Sequence, residues 1–255
     1  MMKKIALLVF GTFLFQPVIA QHEELPEQYR DEVQFFINCI KTKNITAISK
    51  LTLFPLERRY PIPSIKDSAE LRTRFSEVFD DSLIALITSS NVEKDWSQMG
   101  WRGIMLGRGV LWLQDDGTLQ TVNYQSKVEA EMQQELIEKE RKSLHVSLQE
   151  YSTPGVILET SKFRIRIDLM EDETYRYASW GINKQMSDEP DIILKDGILE
   201  FDGSGGNHHY VFKNKNYQYI CWIFVLGSDE TPDAHLELLA GKKEILNQEA
   251  EIIRP

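Results

Sequence analysis

The chain has 255 residues, 42% of them hydrophobic, with 29 basic against 39 acidic side chains and a formal charge of −10. An acidic balance without clustered Lys and Arg excludes the binding of phosphate backbones, so nucleic acid is set aside as a partner. The length exceeds what one ordinary core uses and suits two domains of roughly 100 residues each, while Cys39 and Cys221 alone supply neither a disulfide framework nor a cysteine metal site.

Residues 1–20 read as a secretory signal peptide. Lys3 and Lys4 form a charged start, Ile5 to Phe15 is an apolar run, and Val18-Ile19-Ala20 places small residues before a cut at Gln21. The apolar run is too short to cross a bilayer core of about 30 Å, and no later segment approaches the length needed. The expectation is an exported protein, periplasmic or extracellular, with no transmembrane segment once the signal is removed. Loss of two lysines and no acids leaves the remainder more acidic still.

Residues 21–126 form the first expected domain. Pro26 opens a helix whose Val33, Phe36, Ile37 and Ile40 follow the i, i+3, i+4, i+7 spacing, and Asn44 caps a short second helix with Ile45, Ile48 and Leu51 on one side. Pro55, Pro61 and Pro63 restrict the next stretch to an edge hairpin or an extended loop. Asp67 with Glu70 resembles a capping box and predicts a third helix that carries Leu71, Phe75, Val78, Phe79, Leu83, Leu86 and Ile87. Three short strands follow, Gly100 to Leu106, Val110 to Gln114 and Leu119 to Tyr124, with a turn at Asp115-Asp116-Gly117. Amphipathic helices followed by a meander imply a sheet covered on one face.

The order FFINCIKTKNITAISKL, Pro-containing segment, ELRTRFSEVFDDSL, then GWRGIMLGRGVLWLQDDGTLQTVNYQS resembles the NTF2-like (SnoaL/ketosteroid-isomerase-like) α+β cone over the first half of the mature chain. That resemblance implies helices and a curved sheet around a pocket, used by some members for catalysis and by many for binding or assembly. Catalytic members set an Asp base against a Tyr and a second acid inside the cone. Here Asp95, Asp115 and Asp116 fall in turn-like positions, so that set does not map. Candidate pocket residues are Trp96, Trp101, Arg102 and Trp112, since an Arg beside aromatic rings holds anions or stacks on an indole. Strand alternation puts Trp101, Gly103 and Met105 on one face, opposite Arg102 and Ile104. The competing reading makes the tryptophans core and pairs Arg102 with a surface acid.

Residues 127–153 are expected to be a helical connector. Between Lys127 and Lys142 five glutamates interleave with four basic residues, and Val128, Met132, Leu136 and Ile137 form one narrow stripe of a mostly wet helix. From residue 154 to 255 the period changes to two. Phe163, Ile165 and Ile167 alternate with Arg164, Arg166 and Asp168, and Tyr175, Tyr177 and Ser179 alternate with Arg176, Ala178 and Trp180. Further short strands with turns at Lys195-Asp196-Gly197, Lys213 to Asn216 and Ala240-Gly241-Lys242 predict an antiparallel sandwich or small barrel. Tyr217, Tyr219, Cys221, Ile223 and Val225 share one face of a strand that is apolar on both sides, hence central. The two cysteines read either as a bridge permitted by export or as separate buried thiols.

The loop Asp202-Gly203-Ser204-Gly205-Gly206-Asn207-His208-His209 is the oddest local composition in the chain. A phosphate loop needs a following helix, a calcium loop needs more carboxylates, and a zinc site needs partners that adjacent histidines on opposite strand faces do not share. Two readings remain open. One is recognition through Asp202, Asn207, His208 and Tyr210 at a barrel rim; the other is a wide hairpin turn whose Asp and Asn satisfy their own backbone. YRYASW followed by SDEPDIILKDGILEFDGSGGNHHY resembles a recurring β-module of exported bacterial proteins. No motif for a nucleophile or a metal-dependent hydrolase is present.

The fold class expected is therefore α+β, an NTF2-like cone followed by an all-β sandwich or small barrel. The functional expectation is an exported two-domain protein that binds a small ligand or an envelope protein, with no catalytic residue, cofactor or metal. The alternatives are a small-molecule isomerase or hydrolase that uses the cone pocket, and an envelope adaptor.

Overall fold

The computed structural model describes residues 25–253, and the signal-peptide expectation lies outside them. Four helices come first: α1 (Glu27–Lys41), α2 (Ile45–Lys50), α3 (Ser68–Val78) and α4 (Asp81–Ser89). Helix α1 turns Val33, Phe36, Ile37, Cys39 and Ile40 inward; full burial of each large apolar side chain contributes about 1.5–3 kcal/mol. Asn44 caps α2 through a bond from Ala47 N. Asp67 Oδ1 accepts from Ala69 N at 2.8 Å and Glu70 N at 2.9 Å, and Glu70 Oε2 accepts from Lys66 N at 2.9 Å.

The single third helix expected from the apolar spacing is broken in two. Phe79 leaves the helix at φ −103°, ψ 79°, and Asp80 starts α4 by accepting from Leu83 N at 2.9 Å. The same apolar face continues, because Phe75 and Phe79 stack at 4.7 Å and Leu83 and Ile87 remain buried. An aspartate whose carboxylate accepts from a backbone N–H of the next turn competes well with helix continuation.

A four-stranded antiparallel meander follows, β1 (Trp96–Gln98), β2 (Ile104–Leu106), β3 (Leu111–Leu113) and β4 (Leu119–Val122). Strand β1 was not foreseen, and the strand expected from Gly100 starts at Ile104. Gly100–Arg102 is a turn of 3-10 helix closed by Gly103 at φ +89°, where a Cβ would stand 2.2 Å from the Leu113 carbonyl oxygen. The alternation proposed for Trp101, Arg102 and Gly103 therefore does not apply. The Pro-rich stretch is irregular and pinned by one antiparallel bridge, Leu56 to Ile65.

Helix α5 (Lys127–Ser143) begins at Ser126, whose Oγ accepts from Glu129 N at 3.1 Å. It is rotated by about one residue from the expected apolar stripe. Val128 is exposed and Glu129 is fully buried; the inward line is Glu129, Gln133, Ile137 and Glu140. Three of those four residues are polar, and each has a partner. Glu129 takes Arg58, Gln133 Nε2 donates to Tyr60 O at 2.6 Å, and Glu140 accepts from Tyr60 OH at 3.1 Å and from Arg166. The connector is thus not a wet spacer. Ile137, Leu144, Leu148 and Tyr151 form a satellite core with Ala178 and Trp180 on the outer wall of the second module.

That module is a closed antiparallel barrel, so the sandwich alternative falls. Strands β5 (Thr153–Thr160), β6 (Phe163–Leu169), β7 (Tyr175–Gly181), β8 (Ile192–Phe201), β9 (His208–Asn214), β10 (Tyr217–Ile223), β11 (Ala234–Ala240) and β12 (Lys243–Ile252) each pair with their sequence neighbours. Strand β12 closes on β5 through Ala250↔Thr160, Glu251↔Glu159 and Ile252↔Leu158. A closed sheet has no edges, so β10 is flanked on both sides like every other strand. Tyr219, Cys221 and Ile223 point inward; Val225, placed with them from sequence, lies beyond the strand and is exposed. Eight strands leave an interior that side chains nearly fill; Tyr177 packs 5.4 Å from Phe212 and 5.6 Å from Tyr219.

Both cysteines are free and buried, one in each module. Burial pushes the Cys221 thiol up to about 12 and raises Cys39. Iodoacetamide at pH 8 is therefore expected to leave both thiols unmodified in the native protein and to alkylate both in denaturant, as read by intact mass. Modification of Cys221 without unfolding would contradict the closed barrel.

Candidate functional site

The Gly-rich loop 202–207 joins β8 to β9 at one mouth of the barrel. Asn207 is a clasp: its Oδ1 accepts from Val225 N and Leu226 N, both at 2.8 Å, and its Nδ2 donates to Leu226 O at 3.0 Å. The glycines let the loop lie flat on that neighbouring connection. Gly206 has φ +93°, and a Cβ on Gly205 would stand 2.8 Å from Leu226 Cδ1. Asn207 thus bonds the backbone of a neighbouring connection, whereas the hairpin reading expects it to bond its own.

Beyond the loop, alternation along β9 separates the two histidines. His209 faces out, stacked on Trp222 at 4.2 Å, with Asp202 Oδ2 at 2.9 Å from Nδ1 and Glu200 Oε2 at 3.3 Å from Nε2. Its two nitrogens engage different carboxylates, so the trio does not converge on one point. Among the described residues no group of three His, Cys, Asp or Glu side chains is placed to hold a metal ion. His208 faces in. Its ring lies 5.7 Å from Phe201 and 5.6 Å from Tyr210, which sits deeper in the barrel against Tyr175. His208 Nδ1 is 2.8 Å from Gly206 O. A carbonyl only accepts, so Nδ1 carries a proton, and in the tautomer with a single ring proton Nε2 is then an acceptor.

His208 lines a cavity of about 300 Å³ between the two modules. Its walls are Val156, Ile157, Ile223, Ile252 and Ile253 from the barrel mouth, Gly155 at a bulge in β5, and Arg58 and Tyr60 from the Pro-rich segment of the first module. The segment is held there from both sides. Arg58 pairs with Glu129 at the start of α5, and Tyr60 is tied to Gln133 and Glu140 farther along the same helix.

Below this junction lies a buried charge network on the outer wall of the barrel. Arg166 and Asp168 on β6 and Arg176 on β7, each no more than 3% exposed, meet Glu140 of α5. Arg176 Nη2 stands 2.6 Å from Asp168 Oδ2, and Arg166 Nη2 stands 2.7 Å from Asp168 Oδ1. The Tyr151 ring is packed among the guanidinium groups of Arg141 (4.7 Å), Arg166 (5.0 Å) and Arg176 (6.0 Å). Burial, reinforced by the Glu140 carboxylate, pushes the Tyr151 phenol up to about 12, and burial with Tyr175 nearby does the same for Tyr210.

A phenol whose folded pKa exceeds its unfolded value of about 10 stabilises the fold below pH 10. That contribution is lost as pH rises from 10 to 12. Urea-denaturation midpoints are therefore expected to fall across this window, less steeply in Tyr151→Phe; a flat profile would show that these phenols ionise freely.

Of the residues singled out from sequence, the structure brings three together in the first module. Trp101, Arg102 and Trp112 border a shallow surface hollow of about 210 Å³, with Arg102 5.7 Å over the Trp112 ring. Trp96 does not join them. It is fully buried, edge-on to Phe36 at 6.4 Å, with Nε1 donating to Ser90 Oγ at 2.9 Å. In the second module His208 and Tyr210 face the barrel interior, whereas Asp202 pairs with His209 and Asn207 clasps the Val225–Leu226 backbone. Arg58, Tyr60, Val156, Ile223 and Ile252 went unread because they converge only once the modules dock. The charged network was visible as Arg164, Arg166 and Asp168 alternating along β6, a pattern that normally marks a solvated face. Ala178 and Trp180 beside Arg176 were the sign that this face is covered. Compared with known proteins, the chain matches no family model, no curated protein and no solved structure.

Proposed function

We propose that this is an exported, non-catalytic binding protein, in which an NTF2-like first module closes a ligand cavity at the mouth of the barrel. The observation that carries the reading is the junction cavity, where five aliphatic side chains share the wall with Arg58, Tyr60 and His208, with His208 Nε2 left without a protein partner. Mouths of β-barrels and domain junctions are where small-molecule sites concentrate, and about 300 Å³ suits a ligand of one or two rings. The acids nearest the cavity, Glu129 and Glu140, are held by Arg58 and by Arg166 with Tyr60, so neither carboxylate is free to act as a general base. The helix-then-meander order supports the NTF2-like assignment. Its core packs Phe36, Phe75, Phe79 and Trp96 inward, which favours a scaffold role over a catalytic cone.

The test uses N-phenyl-1-naphthylamine, a neutral, apolar aromatic fluorophore. Saturable binding to the wild type is expected, and Ile223→Trp, which fills the cavity, should weaken it by about tenfold or more, or ~1.4 kcal/mol. Val156→Phe serves as a second filling variant, and circular dichroism confirms that both are folded. Binding that ignores both substitutions would remove the cavity as the site. Export is tested separately: the product secreted by a bacterial host should begin at Gln21.

A further inference from the structure

We infer that the junction cavity selects a neutral, mostly apolar molecule that carries one hydrogen-bond donor, and that it turns anions away despite the arginine in its wall. The inference rests on the reading of this cavity as the ligand site and names the class of ligand. An arginine lining a pocket ordinarily signals carboxylate or phosphate recognition, because its five N–H groups form a planar donor fork. Here every one of those donors is already taken. Nε donates to Glu129 Oε1 at 2.6 Å; Nη2 donates to Glu129 Oε2 at 2.5 Å and Tyr124 O at 2.9 Å; Nη1 donates to Val122 O at 2.6 Å and Glu57 O at 3.4 Å. The side chain is 2% exposed and its charge is matched by Glu129 at 1%. An incoming anion would have to displace these bonds and would strand Glu129 in the interior.

The other polar side chains of the wall point to the opposite ligand chemistry. The Tyr60 hydroxyl spends its proton on Glu140 Oε1 at 3.1 Å, so it has no proton left to give a ligand. His208 spends its Nδ1 proton on Gly206 O at 2.8 Å, so Nε2 offers a lone pair. Both side chains accept and neither donates. Around them stand Val156, Ile157, Ile223, Ile252 and Ile253, which reward apolar surface. A carboxylate has only acceptors to bring to such a wall, whereas an alcohol, phenol or amine brings the missing proton.

The experiment displaces N-phenyl-1-naphthylamine with three matched probes at pH 8: 2-naphthol, 2-methoxynaphthalene and 2-naphthoate. 2-Naphthol is expected to compete about 3- to 10-fold better than 2-methoxynaphthalene, the worth of one net hydrogen bond, and 2-naphthoate is expected to compete worst. His208→Phe should erase the advantage of 2-naphthol over its methyl ether, and His208→Gln, which keeps an acceptor, should retain part of it. The inference is overturned if 2-naphthoate competes as well as 2-naphthol, or if His208→Phe leaves the ranking unchanged. A different failure, fluorophore binding that ignores Ile223→Trp, would instead sink the cavity reading itself.

Discussion

Asp168→Ala is expected to cost about 3–5 kcal/mol of unfolding free energy, the usual penalty for stranding buried charge. Asp168 is fully buried between Arg166 and Arg176, with contacts of 2.7 Å and 2.6 Å to the two guanidinium groups. Its removal leaves those two cations in the interior with Glu140, held through Arg166, as their remaining carboxylate among the described residues. For a chain of this size the loss corresponds to a melting temperature lower by roughly 10 °C. The replacement Arg166→Met, Asp168→Leu, Arg176→Met together with Glu140→Gln should restore much of the loss, because removing all four charges removes the desolvation penalty with them. A single alanine variant within about 1 kcal/mol of wild type would mean that the network is hydrated and behaves like a surface pair.

Glu129→Ala should have a comparable effect on stability, about 3–5 kcal/mol, and a second effect that the first variant lacks. Glu129 is the carboxylate that fixes Arg58, and Arg58 anchors the segment that carries Tyr60 over the barrel mouth. Calorimetry of the wild type is expected to give one endotherm, because α5 shares buried contacts with both modules: Arg58 and Tyr60 on one side, Arg166, Ala178 and Trp180 on the other. In Glu129→Ala the first module should melt earlier and apart from the barrel, and N-phenyl-1-naphthylamine binding should weaken in step. Two well-separated endotherms in the wild type would show instead that the modules are independent bodies joined by a passive helix.

That second outcome is what sidedness alone implied. Reading α5 by its apolar stripe selects Val128, Met132, Leu136 and Ile137 and makes the helix a wet connector; the folded chain buries Glu129 and leaves Val128 in solvent. The error has a physical cause. Hydrophobic periodicity reports which face is driven inward when burial supplies the free energy. It cannot report a face drawn inward by charges whose partners lie 71 residues away, as Arg58 does from Glu129. The same blindness hid Arg166, Asp168 and Arg176, which looked like the solvated side of two strands.

Local rules carried the rest. Pleat alternation from residue 154 onward determined the β-module, the inward set Ile165, Ile167, Tyr177 and Tyr219, and the opposite facing of His208 and His209, because a strand's side-chain period is fixed by its own backbone. Capping chemistry at Asn44 and Asp67 placed helix starts for the same reason, since each cap bonds its own next turn. Whether eight strands form a sandwich or close into a barrel, and whether Arg58 meets His208 across a cavity, depended on register and docking between segments far apart in the chain. Those are settled by long-range packing and by the pairing of buried charges, and no residue carries them alone.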